Sequence, residues 1–128
     1  MASVVAALIG QSAVALPPLR DVKEIDDGLF TVGLANEIRR NCPTIKARVI
    51  YAYGVLRNLK REARSLGYTN AQIDAHVNSD AEKDRLRARG EAYMEERGFA
   101  QTEAGFCALG RAEIAAGSEV GALLRETN

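Results

Sequence analysis

This chain has no tryptophan, and only three phenylalanines and four tyrosines in 128 residues. With aromatics that scarce, leucine and alanine must make most of any core, which suits helices. Histidine occurs once, at His76. A two-histidine metal motif is therefore excluded, and no metal or cofactor is expected. A serine or cysteine triad would have to run through His76, which sits in a short predicted helix with no nucleophile motif beside it; a surface histidine is the expectation. Net charge is zero, so no bulk electrostatic case exists for nucleic acid or an anionic membrane. The glycines match neither a phosphate loop nor a dinucleotide fingerprint. Asp26-Asp27 and Glu95-Glu96 are adjacent carboxylates, but helix neighbours point in different directions, so both read as solvated faces rather than acid–base pairs. There is no alternating strand pattern, internal repeat, low-complexity run or interdomain linker.

What is present begins with MASVVAALIGQSAVALPPL. Ala2 to Gly10 is apolar, and Ala13-Val14-Ala15 follows as an A-x-A cleavage pattern. The run is too short to span a membrane. It reads as a signal peptide, residues 1–15, cut after Ala15, which places the chain in the periplasm. No Lys or Arg precedes the apolar core, so either the start codon is placed too far downstream or the segment is an ordinary apolar arm. Residues 16–128 then form a single helical domain. The two cysteines, Cys42 and Cys107, with no CxxC, suit one disulfide in an exported chain. Closing a loop of that length contributes about 4 kcal/mol in the chain-entropy model.

The longest stretch of helical periodicity is Thr44 to Gly67, and it is the expected organising helix. Ile45, Val49, Ala52, Leu56, Leu59, Ala63 and Leu66 share one arc. Lys46, Arg57, Lys60, Arg61 and Arg64 flank it, reading as a solvated face or, less simply, as a dock for an anionic partner. Pro43 suits the first turn and Gly67 the left-handed stop. Before it, Asp21 to Asn41 carries two apolar stripes: Val22, Ile25, Leu29 and Val32, then Phe30, Leu34 and Ile38. Such a helix is sandwiched between neighbours, and Gly28 and Gly33 allow close approach. After it come a short helix capped by Thr69, a helix opened by a Ser79-to-Glu82 capping box, a helix capped by Thr102, and a last short one capped by Ser118. Lys83, Arg85, Arg87, Arg89, Glu91, Glu95 and Glu96 give the second of these a solvated face. Gly110 and Gly117 leave room for a neighbour beside Phe106. The fold class is all-α, a compact bundle of five to six helices with one disulfide.

Two polar residues break these patterns. Arg48 falls at the edge of the apolar arc, either snorkelling or paired with a buried carboxylate. Glu113 lies in the middle of an apolar face, where a lone carboxylate is costly unless paired or protonated. A buried ion pair between Glu113 and Arg48 is expected, with Arg39, Arg40 and Arg111 as alternative partners. From Arg20 to Arg64 the chain carries ten basic and six acidic residues, and from Ser65 onward seven basic and eleven acidic. Halves of net +4 and −4 are expected to pack with complementary surfaces.

Several runs together resemble a known family: Asn41-Cys42-Pro43-Thr44-Ile45 with Arg48, Gly67-Tyr68-Thr69 with Ile73-Asp74, and Lys83-Asp84-Arg85-Leu86. The run Phe106-Cys107-Ala108-Leu109-Gly110-Arg111-Ala112-Glu113 through Ser118, then Gly121 and Leu123-Leu124-Arg125, fits best. The chain resembles DUF5333, a family of small exported alphaproteobacterial proteins of unknown function. The resemblance implies a small exported helical domain and supplies no activity, ligand or catalytic residue. The expected function is a non-catalytic periplasmic binding or accessory protein acting on a protein partner through its surface. The alternative is a small enzyme or ligand carrier with a pocket near Glu113 and Arg48.

Overall fold

The computed structural model describes residues 15–127. The expected signal peptide therefore lies outside the described residues except for Ala15. A 3-10 turn at Leu19–Asp21 leads into α1, Lys23–Asn41, the helix on which the rest packs. Its two apolar stripes each find a separate partner set. Ile25, with Leu29 beside it, joins Leu19, Ala63, Tyr68 and Ile73 in one cluster. Phe30, Leu34 and Ile38 join Cys42, Ile45, Met94, Leu109, Val120, Leu123 and Leu124 in a larger one. The expected sandwich is present.

The stretch expected to organise the fold does not. Residues Pro43–Thr44 form a turn, and Ile45–Ala47 is a strand, β1, paired antiparallel with β2, Leu124–Glu126. Helix α2 begins only at Val49 and runs to Ser65. Cys42 and Ile45 are fully buried, and the chain must bend between them to bury both. The ladder with β2 satisfies the extended backbone, and the Arg48 N–H donates to Leu123 O at 2.8 Å. Three residues are too few to show strand alternation, so Ile45 fell in phase with the helix by coincidence. Of the residues in α2, only Ala63 is fully buried.

The helix starts follow the sequence closely. Thr69, Ser79, Thr102 and Ser118 cap α3 (Asn70–Val77), α4 (Asp80–Glu96), α5 (Glu103–Ala116) and α6 (Glu119–Ala122), each hydroxyl accepting the N–H three residues on. Thr69 and Gln72 complete a capping box. At Ser79 only half the box forms, because the Glu82 carboxylate is drawn to Arg20 and Arg85 instead. Gly67, with φ 106°, ends the helical turn after α2 as expected.

Cys42 and Cys107 lie at disulfide distance, with Cα atoms 5.1 Å apart. This joins the C-terminus of α1 to α5. Beside it a Cβ on Gly110 would collide with Ile45 and Ile38, so α5 approaches α1 through a glycine. The other expected approaches divide. Leu59 lies against Gly28, while Gly33 and Gly117 have nothing within 4 Å of a Cβ position. No helix among the described residues is long and apolar enough to cross a membrane.

Candidate functional site

Glu113 is buried as its wheel position implied, but its partners are hydroxyls rather than a cation. Tyr93 Oη from α4 donates to Oε1 at 2.5 Å, and Ser118 Oγ, the cap of α6, donates to Oε2. Ser118 Oγ also accepts the Gly121 N–H at 3.0 Å. The carboxylate thus ties α5 to α4 and to the start of α6. The Arg97 guanidinium lies 3.4 Å over the Tyr93 ring, a cation–π contact. Burial, then the hydrogen bond to Glu113, pushes the Tyr93 phenol up from its ordinary value.

The Glu113–Arg48 ion pair is therefore not formed. Arg48 is exposed at the N-cap position of α2, makes no side-chain cap bond there, and has no carboxylate within 4.0 Å among the described residues. The alternatives are occupied elsewhere: Arg39 bonds Asn36, Arg40 faces Glu37 at 3.8 Å, and Arg111 faces Glu126 at 3.6 Å.

The ion pairs that do cross between the halves mostly oppose the net charges. Asp26 on α1 is bound by Arg85 and Arg89 of α4, and Arg89 also holds Asp27 at 2.8 Å. Arg89 sits 4.1 Å over the Phe30 ring as well. Arg85 and Arg89 are thus turned inward from the face expected to be solvated, and Asp26 is buried. The Lys23 hydrogen bond, then that of Arg89, holds the Asp27 carboxyl below the usual range. The Arg85 hydrogen bond does the same for Glu82, with Arg20 adding to it. Only Arg20–Glu82 and Lys60–Asp74, at 2.6 and 3.8 Å, pair in the expected sense. Since α4 arginines take α1 carboxylates, several first-half cations keep no carboxylate partner among the described residues.

A sizeable concavity lies away from both Glu113 and Arg48. A cleft of about 930 Å³ opens over α1 between α2 and α4, with α3 at one end and the start of α5 at the other. Its floor is Leu29, Val32, Gly33 and Asn36 of α1. One wall is Val49, Ala52, Tyr53 and Leu56 of α2; the other is Leu86, Gly90 and Met94 of α4. That volume is at the upper end of ligand-sized pockets. At the α3 end lies His76, whose Nε2 is buried without a hydrogen-bond partner. It is half-buried rather than the surface residue expected. The α2 wall is itself exposed at Val49 and Tyr53, 57 and 65%, and Ile50 beside it is 90% exposed.

Neither Glu113 nor Arg48 lines this cleft. The sequence did carry one signal for it. Gly33 sits mid-helix, at about 1 kcal/mol of lost helix propensity relative to alanine, and no neighbour needs its missing side chain. Among the described residues no three His, Cys, Asp or Glu side chains converge as metal ligands would.

A family model described as a family of unknown function, DUF5333, matches residues 17–125, and the chain belongs to that family. No curated protein and no solved structure matches it.

Proposed function

We propose that this DUF5333 protein is a non-catalytic binding protein, exported to the periplasm like the small alphaproteobacterial proteins it resembles, which takes a partner's apolar segment into the cleft between α1, α2 and α4. The observation that supports this reading is the incomplete cover of α2. The helix with the cleanest apolar face has only Ala63 fully buried, and its N-terminal half, Val49, Ala52 and Leu56 with Tyr53 beside them, lines the cleft, while Leu59 packs on Gly28. Exposed apolar surface of this kind, rimmed by polar residues, marks interaction sites. The enzyme or carrier alternative places its pocket at Glu113 and Arg48. Glu113 is buried, is engaged by two hydroxyls of the protein itself and does not line the cleft.

A photo-crosslinking residue tests the binding role. Placed at Leu56 in the native host, it should give a discrete adduct that disappears when Gly33→Trp fills the floor, while the same residue at Glu103 should give none. Adducts independent of Gly33→Trp would refute the cleft. For export, the mature protein should begin at Leu16 on N-terminal sequencing. Intact Met1 on cytosolic protein would refute it.

A further inference from the structure

We infer that the segment received by the cleft is an acidic amphipathic helix of a partner protein, an inference that rests on the cleft being the binding surface. Three observations select this occupant over others. The first is the composition of the walls. Floor and both walls are mostly α-helix, whose backbone groups are already hydrogen-bonded within each helix. Apart from Ala47 of β1, an extended segment lying there would find no strand to pair with and would leave most of its own backbone unsatisfied. A helix satisfies its backbone internally and needs only an apolar stripe, as in helix-in-groove recognition.

The second is length and clearance. The α1 residues lining the cleft run from Leu29 to Asn41, about 18 Å of helical rise, or some three turns. Gly33 on the floor has no atom within 4 Å of a Cβ position, and Gly90 on the α4 wall meets only Leu34 at 3.7 Å. A side chain or backbone of the incoming helix can therefore sit directly on α1.

The third is charge. Arg39, Arg40, Lys83 and Arg87 line the cleft with Glu37, Glu82 and Glu91. Glu82 is bound to Arg20 and Arg85. Glu37 is shared between Arg40 at 3.8 Å and Arg87 at 4.0 Å. Arg39 and Lys83 have no carboxylate within 4.0 Å among the described residues. Arg87 is also held by Asp84 at 3.0 Å, and Glu91 stands as one carboxylate against Arg39 and Lys83, so the lip keeps a small positive surplus, chiefly at Arg39 on the α1 side, which carboxylates on the partner's polar face would complete.

The test uses the full chain and two fluorescein-labelled synthetic helices of about 18 residues. Both carry the same leucine–alanine stripe; one has glutamate and the other lysine at the polar positions. Fluorescence anisotropy should show the glutamate peptide binding at least about tenfold tighter, with the margin shrinking as salt is raised. Gly33→Trp should weaken it by about tenfold or more, and Arg39→Glu with Lys83→Glu should reverse the preference. Circular dichroism and urea unfolding check that each variant is folded, and Gly33→Ala serves as a mild second probe of the floor. Equal binding of both peptides, still blocked by Gly33→Trp, would overturn the acidic helix and leave the cleft as a binding surface. Binding insensitive to Gly33→Trp would remove both. No binding of the glutamate peptide, with tight binding of laurate, would overturn the inference in favour of an anionic amphiphile.

Discussion

The two sides of α1 are built to opposite standards. Toward α5, Ile38 is fully buried, Cys42 lies at disulfide distance from Cys107, and the helices are so close that only a glycine fits at position 110. Between α2 and α4 the same helix also carries a glycine, Gly33, with nothing above it. One glycine is needed for contact, and the other lies where contact is missing. The closed side carries the stability of the fold, and the open side is surface the protein leaves available. A substitution should therefore act on stability or on binding according to the side of α1 it touches.

The largest effect should come from the closed side. Ile38→Ala opens a cavity at a fully buried position and should cost about 3–5 kcal/mol by urea unfolding. A cost near 1 kcal/mol would mean that the α1–α5 contact is not the main source of stability.

Next is the Glu113 junction. Glu113→Ala strands the Tyr93 and Ser118 hydroxyls and should cost about 2–3 kcal/mol. Double-mutant cycles sharpen the assignment. Glu113→Gln should couple to Tyr93→Phe by about 1 kcal/mol and to Arg48→Met hardly at all. A clear coupling to Arg48 would restore the ion pair that the structure lacks.

Smaller again is the α1–α4 ion cluster. Asp26→Asn weakens contacts to Arg85 and Arg89, whose side chains are 32 and 40% exposed, so about 1–2 kcal/mol is expected after solvent screening. Acid should act on the same region. Asp27 and Glu82 have folded-state values held below the ordinary carboxylate range. On acidification the unfolded chain takes up protons first. Their contribution is thus full above the ordinary carboxylate value and is lost as pH falls below about 4, through the depressed folded values. Urea midpoints that stay flat from neutral pH to about 3 would contradict this.

The smallest effect should have the opposite sign. Gly33→Ala restores helix propensity at an uncrowded site and should stabilise by up to about 1 kcal/mol. It should nevertheless weaken binding of a helix in the cleft. A stabilised variant with undiminished binding would break the distinction between the two sides of α1.

Features that depend on one or two neighbouring residues were legible in the sequence. The hydroxyl caps at Thr69, Ser79, Thr102 and Ser118, the stop at Gly67, the double stripe of α1 and the Cys42–Cys107 pairing all fall in this class. What depended on the third dimension was not. A strand of three residues has no period to detect, so Ile45 was absorbed into a helix that begins four residues later. The burial of Glu113 was readable from its face, but the groups that satisfy it are neutral hydroxyls, and a search among cations could not find them. Net charge of the two halves misled in the same way, because Asp26 and Asp27 pair individually with Arg85 and Arg89 against the overall sign. The arc of Val49, Ala52, Leu56, Leu59 and Ala63 in α2 is apolar in the sequence. Periodicity says that such a face wants cover, not whether the chain provides it.

The pairing of β1 with β2 has a consequence for the order in which this protein is completed. Ile45 and Leu124 belong to one buried cluster with Ile38, Val120 and Leu123, and the strands that join them lie about eighty residues apart in register. A chain emerging from the ribosome has α1 early but cannot close the core around it until the segment beyond Ser118 has been made. Contacts so distant in sequence form late. Until then Ile45 lacks its strand partner, and the part of the cluster made by Val120, Leu123 and Leu124 is missing.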